Sequence, residues 1–377
     1  MIFRRKKDIL LPVTAPAPTG AAAAAQTISF RIKQEQRRLE GFILSLQLTN
    51  NAAIPTGAAW GGLAGVVKEI RVKVQDALGS RNAVQVSGIG LLSWVKNQLG
   101  RVDRNTQTGY ATAALPASAT EAVSTINYFV PLRHPIVSEP FGNYLALPLS
   151  SKFLGDDVIV EVDLWDIGAA AGTVFLANSP TWPANAASLQ TLVREVPEDF
   201  GYIPSELRSD MFVPTAVANA TYEFTSNGYL TSALVQGLSA SAFGNGVTRA
   251  SVLSAGGNLQ FQYGRDIWLK DNESFSNALN DLSAENYPSA TTATITGSAL
   301  TNRNMPNEIM TDFLADLPST DAFSVGSIPN LYTAALGGDK ARLVFNDFAA
   351  VGRAAHITMH RLLPVKAEDL NALAVSI

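Results

Sequence analysis

Short apolar runs separated by turn-forming residues recur along the whole chain. Three of them follow one another within residues 126–168, at 127–132, 144–149 and 158–165. In the last run, Val and Leu alternate with residues that include Glu161 and Asp163, so one face can enter a core while the other meets solvent. Alternating runs bounded by Pro and Gly predict three β-strands here.

The same plan recurs near the C-terminus, as a repeat of pattern without a repeat of identical residues. An apolar run at 309–314 is followed by a Pro/Ser/Asp turn region and a short middle segment at 327–336. A Gly-Gly-Asp-Lys turn then precedes a run at 343–348, and a further strand is predicted at 354–363. The chain is therefore predicted to contain two similar halves.

Each half also contains a helical pattern at the same place in its order of elements. In the first half, apolar residues spaced i, i+1, i+4, i+8 predict an amphipathic helix at 91–99. In the second half, Asn272 or Ser274 can cap a helix at 274–282. Strands of the half-buried type are predicted before these helices, at residues 28–32, 42–48, 70–74 and 259–269.

Composition agrees with an ordered, turn-rich β protein. The chain of 377 residues is 47% hydrophobic and 16% charged, with 28 Gly and 19 Pro, and is long enough for two domains. The order of elements predicts an all-β fold of two tandem eight-stranded jelly rolls, each with a short helix. The predicted parts are a basic N-terminal arm (1–25), a first jelly roll (26–170), a linker (171–190), a second jelly roll (191–364) and a C-terminal tail (365–377).

The N-terminal end is basic and the body is acidic. Residues 1–40 carry a net charge of +5, whereas the remaining 337 residues carry −9. Arg4, Arg5, Lys6 and Lys7 lie between apolar residues, which suits an arm that faces lipid headgroups or nucleic acid; a solvated tail is the alternative. Prolines interrupt the apolar region that a secretory signal needs, and no apolar run is long enough for a transmembrane helix.

Histidine, glycine and serine patterns give no catalytic site. The chain has three histidines and no cysteine. His356 and His360 lie four residues apart, but the flanking residues alternate as in a strand and no Glu follows His356, so we interpret both as part of a polar strand face. No G-x-S-x-G motif occurs, and the Gly-rich segments 88–90 and 244–246 lack the Lys-Ser/Thr of a phosphate loop, so we interpret them as turns.

One group of carboxylates leaves two interpretations open. Asp156, Asp157, Glu161, Asp163 and Asp166 can chelate calcium or form a solvated charged face, and we favour the solvated face. We therefore predict no catalytic residue, no metal and no cofactor, with calcium as the one alternative.

The arrangement resembles the double jelly-roll major capsid proteins of icosahedral viruses that enclose a lipid membrane, the group that includes tectivirus and corticovirus bacteriophages. The features that carry the resemblance are the paired helices at 91–99 and 274–282, the repeated strand pattern, the long polar loops and the basic arm. The chain departs from a simple duplication in its linker and second-half strands, which do not align one to one with the first half.

The resemblance implies a structural subunit of a virion, made in the host cytoplasm, and no enzymatic activity. It implies a homotrimer that forms pseudo-hexameric capsomers of an icosahedral shell over an internal membrane. The implied partners are further copies of the chain, minor capsid, penton and membrane proteins, and the lipid membrane through the N-terminal arm. The alternative is a β-sandwich carbohydrate-binding or adhesin (receptor-binding) protein, in which exposed Trp60, Trp182 and Tyr287 stack on sugars.

Overall fold

The computed structural model is a β protein with two hydrophobic cores. The residues that the structure describes are 5–9, 26–49, 56–57, 66–99, 123–133, 145–165, 175–177, 182, 187–195, 201–224, 229–239, 250–263, 266–271, 294–295, 298–299, 308–312, 331–332 and 341–363. Among them, no helix is long and apolar enough to cross a membrane.

The elements in chain order are β1 (Arg5–Ile9), β2 (Gln26–Ile32), β3 (Arg38–Thr49), β4 (Thr56–Gly57), β5 (Val67–Asp76), β6 (Gly79–Val86), α1 (Gly88–Leu99), β7 (Val123–Pro131), β8 (Leu147–Pro148), β9 (Val158–Leu164), β10 (Phe175–Ala177), β11 (Ala187–Arg194), β12 (Ser205–Phe212), β13 (Ala220–Glu223), β14 (Tyr229–Leu238), β15 (Leu253–Tyr263), β16 (Asp266–Asp271), β17 (Thr294–Ile295), β18 (Ser298–Ala299), β19 (Glu308–Asp312), β20 (Leu331–Tyr332), β21 (Ala341–Phe348) and β22 (Ala354–Leu362).

Three sheets make up the body of the protein. The shared sheet runs through both halves in the order β19-β14-β22-β12-β6-β5-β9-β2, with β20 beside β14. The first facing sheet has the order β1-β11-β3-β7, with β8 beside β3, and the second facing sheet has the order β13-β21-β15-β16. Two small pairs, β4 with β10 and β17 with β18, complete the described strands.

The first core lies between the first facing sheet and strands β2, β9, β5 and β6 of the shared sheet. Alternation builds it: Phe42, Leu44 and Leu46 of β3 are fully buried, while Gln47 is exposed. Tyr128 of β7 is also fully buried in this cluster. Burying one such side chain contributes roughly 1.5–3 kcal/mol. A shift of the strand pairing by one residue would expose these side chains, so their alternation favours the observed register.

The second core lies between the second facing sheet and strands β14 and β22. Its aromatic centre is formed by Phe345 and Phe348 of β21, whose ring centroids are 5.5 Å apart in an edge-to-face arrangement, with Phe212 stacked on Phe345 at 5.5 Å. Phe261 of β15 is fully buried in the same cluster. The chain therefore folds as two sandwiches.

The two sandwiches are joined edge to edge through the shared sheet. Strand β12 pairs in parallel with β6, with Leu207 opposite Val84 and Arg208 opposite Gln85. All other strand pairs in the shared sheet are antiparallel among the described residues. This parallel pair makes one continuous sheet out of the two halves.

Most strands predicted from the sequence are confirmed. Strands β7, β8 and β9 correspond to the three runs within residues 126–168, and β19, β20, β21 and β22 correspond to the repeated pattern near the C-terminus. The first predicted helix is confirmed as α1, which begins at Gly88. The interpretation of residues 88–90 as a turn is therefore wrong, because Ser87 caps the helix one turn earlier. The second predicted helix, at 274–282, lies outside the described residues.

Two other expectations differ from the structure. The single strand predicted at 259–269 is a hairpin, since β15 turns back into β16 with Leu259 opposite Asp271. Strand β11 crosses the boundary predicted between linker and second domain, yet it pairs with β3 along its whole length, and Ala187, Leu189 and Val193 lie in the first core. Hydrogen bonding thus assigns residues 187–194 to the first sandwich.

Candidate functional site: the seam between the two sandwiches

Helix α1 joins the first half of the chain to a face of the second half. Ser87 caps it, because its Oγ accepts a hydrogen bond from the backbone N–H of Gly90 at 3.0 Å. The helix lies on β5 and β7 of the first half and on β14 and β22 of the second. A Cβ at Gly90 would come within 2.4 Å of Thr358 Oγ1 and 2.6 Å of His356 Cε1, so glycine allows helix and strand to approach this closely.

His356 is the centre of a buried chain of hydrogen bonds. Its Nε2 lies 3.0 Å from Ser87 Oγ, and its Nδ1 lies 3.2 Å from Gln236 Oε1. Because the amide oxygen can only accept, Nδ1 carries a proton. Gln236 Nε2 in turn donates to Ser93 Oγ at 2.9 Å. The His356 ring therefore links helix α1 to both β14 and β22.

His360 and Trp94 form the second contact between helix and sheet. Their rings stack with centroids 5.8 Å apart and an interplanar angle of 28°. Trp94 Nε1 donates to Ser232 Oγ at 3.0 Å, and Thr231 Oγ1 lies 2.6 Å from His360 Nδ1. Burial lowers the pKa of His360 to about 3, so the ring is neutral at physiological pH.

We refer to these residues as the seam, namely Ser87, Gly90, Ser93, Trp94, Thr231, Ser232, Gln236, His356, Thr358 and His360. On the opposite face of β22, Ala355, Ile357 and Met359 enter the second core. Strand β22 is thus buried on both sides. Buried polar groups lose free energy when they lose their hydrogen-bond partners, so a different alignment of helix α1 on β14 and β22 would be unfavourable. The seam therefore favours one orientation of the two sandwiches.

The predicted strand at His356 and His360 is confirmed, but its polar face is enclosed. The two side chains are 2% and 4% exposed because helix α1 covers them. The helix residues that cover the two histidines were not predicted. The sequence does contain a signal for them, since Ser87, Gly90 and Trp94 are spaced i, i+3, i+7 and share one helical face. A second face of this kind beside the apolar face indicates a second packing partner for the helix.

The predicted carboxylates lie in ion pairs on the first sandwich. Asp157 accepts hydrogen bonds from the backbone N–H of Gln34 and from Arg31, which lower its pKa. On the outer face of β5 and β9, Arg71 contacts Asp163 at 2.7 Å and Glu161 at 3.0 Å.

Glu161 has a second basic partner, because Lys73 lies 2.6 Å away and its hydrogen bond lowers the Glu161 pKa. Within the described part of the chain, no group of three or more His, Asp or Glu is arranged to hold a metal ion. Asp166 lies outside the described residues. The described carboxylates thus have cationic neighbours, in a charged and partly solvated face.

The predicted basic arm forms an edge strand where it is described. Arg5, Lys6 and Lys7 belong to β1, which pairs antiparallel with β11, and Arg4 lies outside the described residues. Arg5 lies opposite Arg194, which in turn lies opposite Arg38 on β3. The N-terminal arm is therefore attached to the first sandwich over residues 5–9.

A buried charge cluster occupies this same end of the first facing sheet. Glu40 is 5% exposed, and its Oε1 lies 3.0 Å from Arg133 Nη1 and 2.9 Å from Arg194 Nε. The Arg194 contact is an ion pair whose N–H is not aligned for a hydrogen bond to Glu40. The guanidinium of Arg38 lies over the ring of Phe153, 5.7 Å from its centroid.

The aromatic residues proposed for sugar stacking do not form a described surface. Trp182 is only partly exposed and packs against the first core, so the expectation of an exposed platform there is wrong. Trp60, Tyr287 and His134 lie outside the described residues.

Solved structures with a similar fold include two virus capsid proteins. The STIV MCP, from Sulfolobus Turreted Icosahedral Virus, matches with a TM-score of 0.56 at 12% identity over 96% of this chain and 97% of that chain. The PBCV-1 virus capsid structure matches with a TM-score of 0.54 at 10% identity over 96% of this chain and 95% of that chain. Both are double jelly-roll proteins, and this chain has the double jelly-roll fold.

The similarity to these proteins lies in the fold. No protein-family model matches the sequence, and a search of curated proteins finds no significant match.

Proposed function

We propose that this protein is a structural subunit of a viral capsid, a major capsid protein that forms homotrimers. The observation that carries the proposal is the double jelly-roll fold, which extends over nearly all of this chain and of two virus capsid structures. The seam supports it, because a shell subunit needs two sandwiches held in one orientation.

The proposed trimer is compatible with the two sandwiches in one chain. Three chains with two sandwiches each give six sandwiches around a three-fold axis, which is a pseudo-hexameric block that can tile an icosahedral shell. The low charge content of 16% also favours burial of surface against other copies. Cryo-electron microscopy of the purified protein tests this assembly directly.

The basic arm is proposed to face an internal lipid membrane. Arg4, Arg5, Lys6 and Lys7 form a run of four cations, and each cation near an anionic lipid surface contributes about 1 kcal/mol. The position of β1 supports the proposal. Arg5 lies at the end of the first facing sheet where the turn after β2 carries the exposed residue Lys33.

Liposome co-sedimentation tests the membrane-facing arm. We expect binding that requires anionic lipid, weakens as salt rises, and is lost when Arg4, Arg5, Lys6 and Lys7 are all replaced by Gln. A matched control removes four exposed cations elsewhere, by replacing Arg31, Lys68, Lys73 and Lys152 with Gln. Equal lipid binding by the arm variant and the original protein would contradict the membrane role and leave the capsid proposal standing.

A further inference from the structure

Strand β1 protects one edge of the first facing sheet. It pairs with β11 over all five of its residues, and within the described residues it pairs with no other strand. The other side of β11 is occupied by β3. Without β1, the outer side of β11 would present a row of unpaired backbone N–H and C=O groups, which is a template for a strand from any nearby chain.

The connection from β1 to β2 is long enough to reach a neighbouring copy. Sixteen residues, 10–25, separate β1 from β2, and they include seven Ala and three Pro. Such a segment can span at most about 55 Å. Facing sheets of a sandwich lie about 10 Å apart and neighbouring strands about 4.8 Å apart, so this reach exceeds the spacing of strands and sheets within one sandwich.

We propose that β1 of one copy pairs with β11 of a neighbouring copy in the assembled protein. The proposal rests on the self-association proposed above. The same backbone hydrogen bonds form in either arrangement, with Lys7 opposite Leu192 and Ile9 opposite Gln190, so the exchange loses none of them. In a cyclic trimer each copy gives one β1 and receives one, which closes the ring and leaves no edge unpaired.

Two consequences follow from strand exchange. The exchanged strand adds backbone hydrogen bonds to the contact between subunits, which makes dissociation of one subunit require the release of two strands. It also keeps the β11 edge of every copy paired in the assembled block, which therefore presents no template for uncontrolled strand addition. The partner of the β11 edge is therefore a second copy of this chain, through its residues 5–9.

Disulfide trapping tests the exchange, since the chain contains no cysteine. The double variant Lys7→Cys, Leu192→Cys has its two cysteines directly opposite each other in the β1–β11 register. After mild oxidation, we expect a non-reducing gel to show covalent dimers and trimers as the main products. The control Lys7→Cys, Ser188→Cys has its second cysteine four residues out of register and is expected to stay largely uncoupled.

Other results contradict the inference in distinguishable ways. If light scattering finds the reduced variant to be a trimer while oxidation gives only chains closed by an internal disulfide, exchange is wrong and the proposed trimer stands. If the reduced protein is a monomer, both the exchange and the proposed self-association fail. If neither double variant forms a disulfide, the pairing of β1 with β11 in solution is itself refuted.

Discussion

Gly90 is a point of close approach between helix α1 and strand β22 of the second half. The pattern of apolar residues predicted the helix, but the reason for a glycine inside its first turn lies in the second half of the chain. Glycine is required at this position because Thr358 and His356, more than 260 residues away in sequence, lie so close to it. The residues next to Gly90 in sequence do not indicate such a distant partner, so segment 88–90 was interpreted as a turn.

Replacing Gly90 with Ala is expected to destabilise the protein by about 1–3 kcal/mol, because the added Cβ would overlap Thr358 Oγ1 and Ser209 Oγ. Helix propensity alone predicts the opposite sign, a gain of roughly 1 kcal/mol. Urea denaturation of the two proteins measures the difference. The double variant Gly90→Ala, Thr358→Ala is the control, and it should recover part of the loss; a stabilised single variant would contradict the close contact.

His360 gives the seam a defined dependence on pH. Its pKa is about 3 in the folded protein against 6.5 for an unperturbed His, so below pH 6.5 the unfolded state binds a proton that the folded state does not. Its contribution is therefore fully present above pH 6.5 and is lost as the pH falls towards 3. We expect up to about 1.4 kcal/mol of lost stability per pH unit from this residue.

Urea unfolding at pH 7, 6, 5 and 4 checks this expectation. The variant His360→Gln has no proton to bind at this position, so its stability should fall less steeply with acid than that of the original protein. All other titratable groups are retained in both proteins, so the difference between the two slopes reports on His360. Identical slopes would show that His360 does not titrate differently in the folded and unfolded states.

At the scale of elements, alternation predicted strands well and predicted their partners poorly. Strand β22 was predicted within one residue, because its apolar face is regular. Its neighbours were not predicted, since β12 and β14 reach it from distant parts of the chain. The partner of β11 was not predicted either, because its alternating pattern fits a strand of either half. Pairing with β3 places β11 in the first sandwich.

Strands β3 and β9 carry two carboxylates that are expected to contribute very differently to stability. Glu40→Gln is expected to cost roughly 3–5 kcal/mol, because two guanidinium groups lose a buried anionic partner. Glu161→Gln should cost less than about 1 kcal/mol, because its partner Lys73 is 47% exposed and its other partner, Arg71, keeps two further carboxylate neighbours. Thermal unfolding of the two variants side by side measures the contrast, and equal losses would contradict the buried character of the Glu40 cluster.

At the scale of the whole molecule, the repeated pattern of strands predicted two jelly rolls, and the structure has the double jelly-roll fold. The parallel contact of β6 with β12 and the seam beneath helix α1 were not predicted, since each joins residues separated by more than 100 positions. The shared sheet thus joins the two sandwiches along one edge, and the seam joins them a second time through helix α1.

Cryo-electron microscopy of the purified full-length protein at micromolar concentration tests the capsid proposal most directly. The account predicts particles with three-fold symmetry and a pseudo-hexagonal outline, in which six sandwiches surround the axis and three chains of 40.0 kDa contribute two each. Single two-lobed particles of one chain, without assembly at any concentration tested, would contradict it.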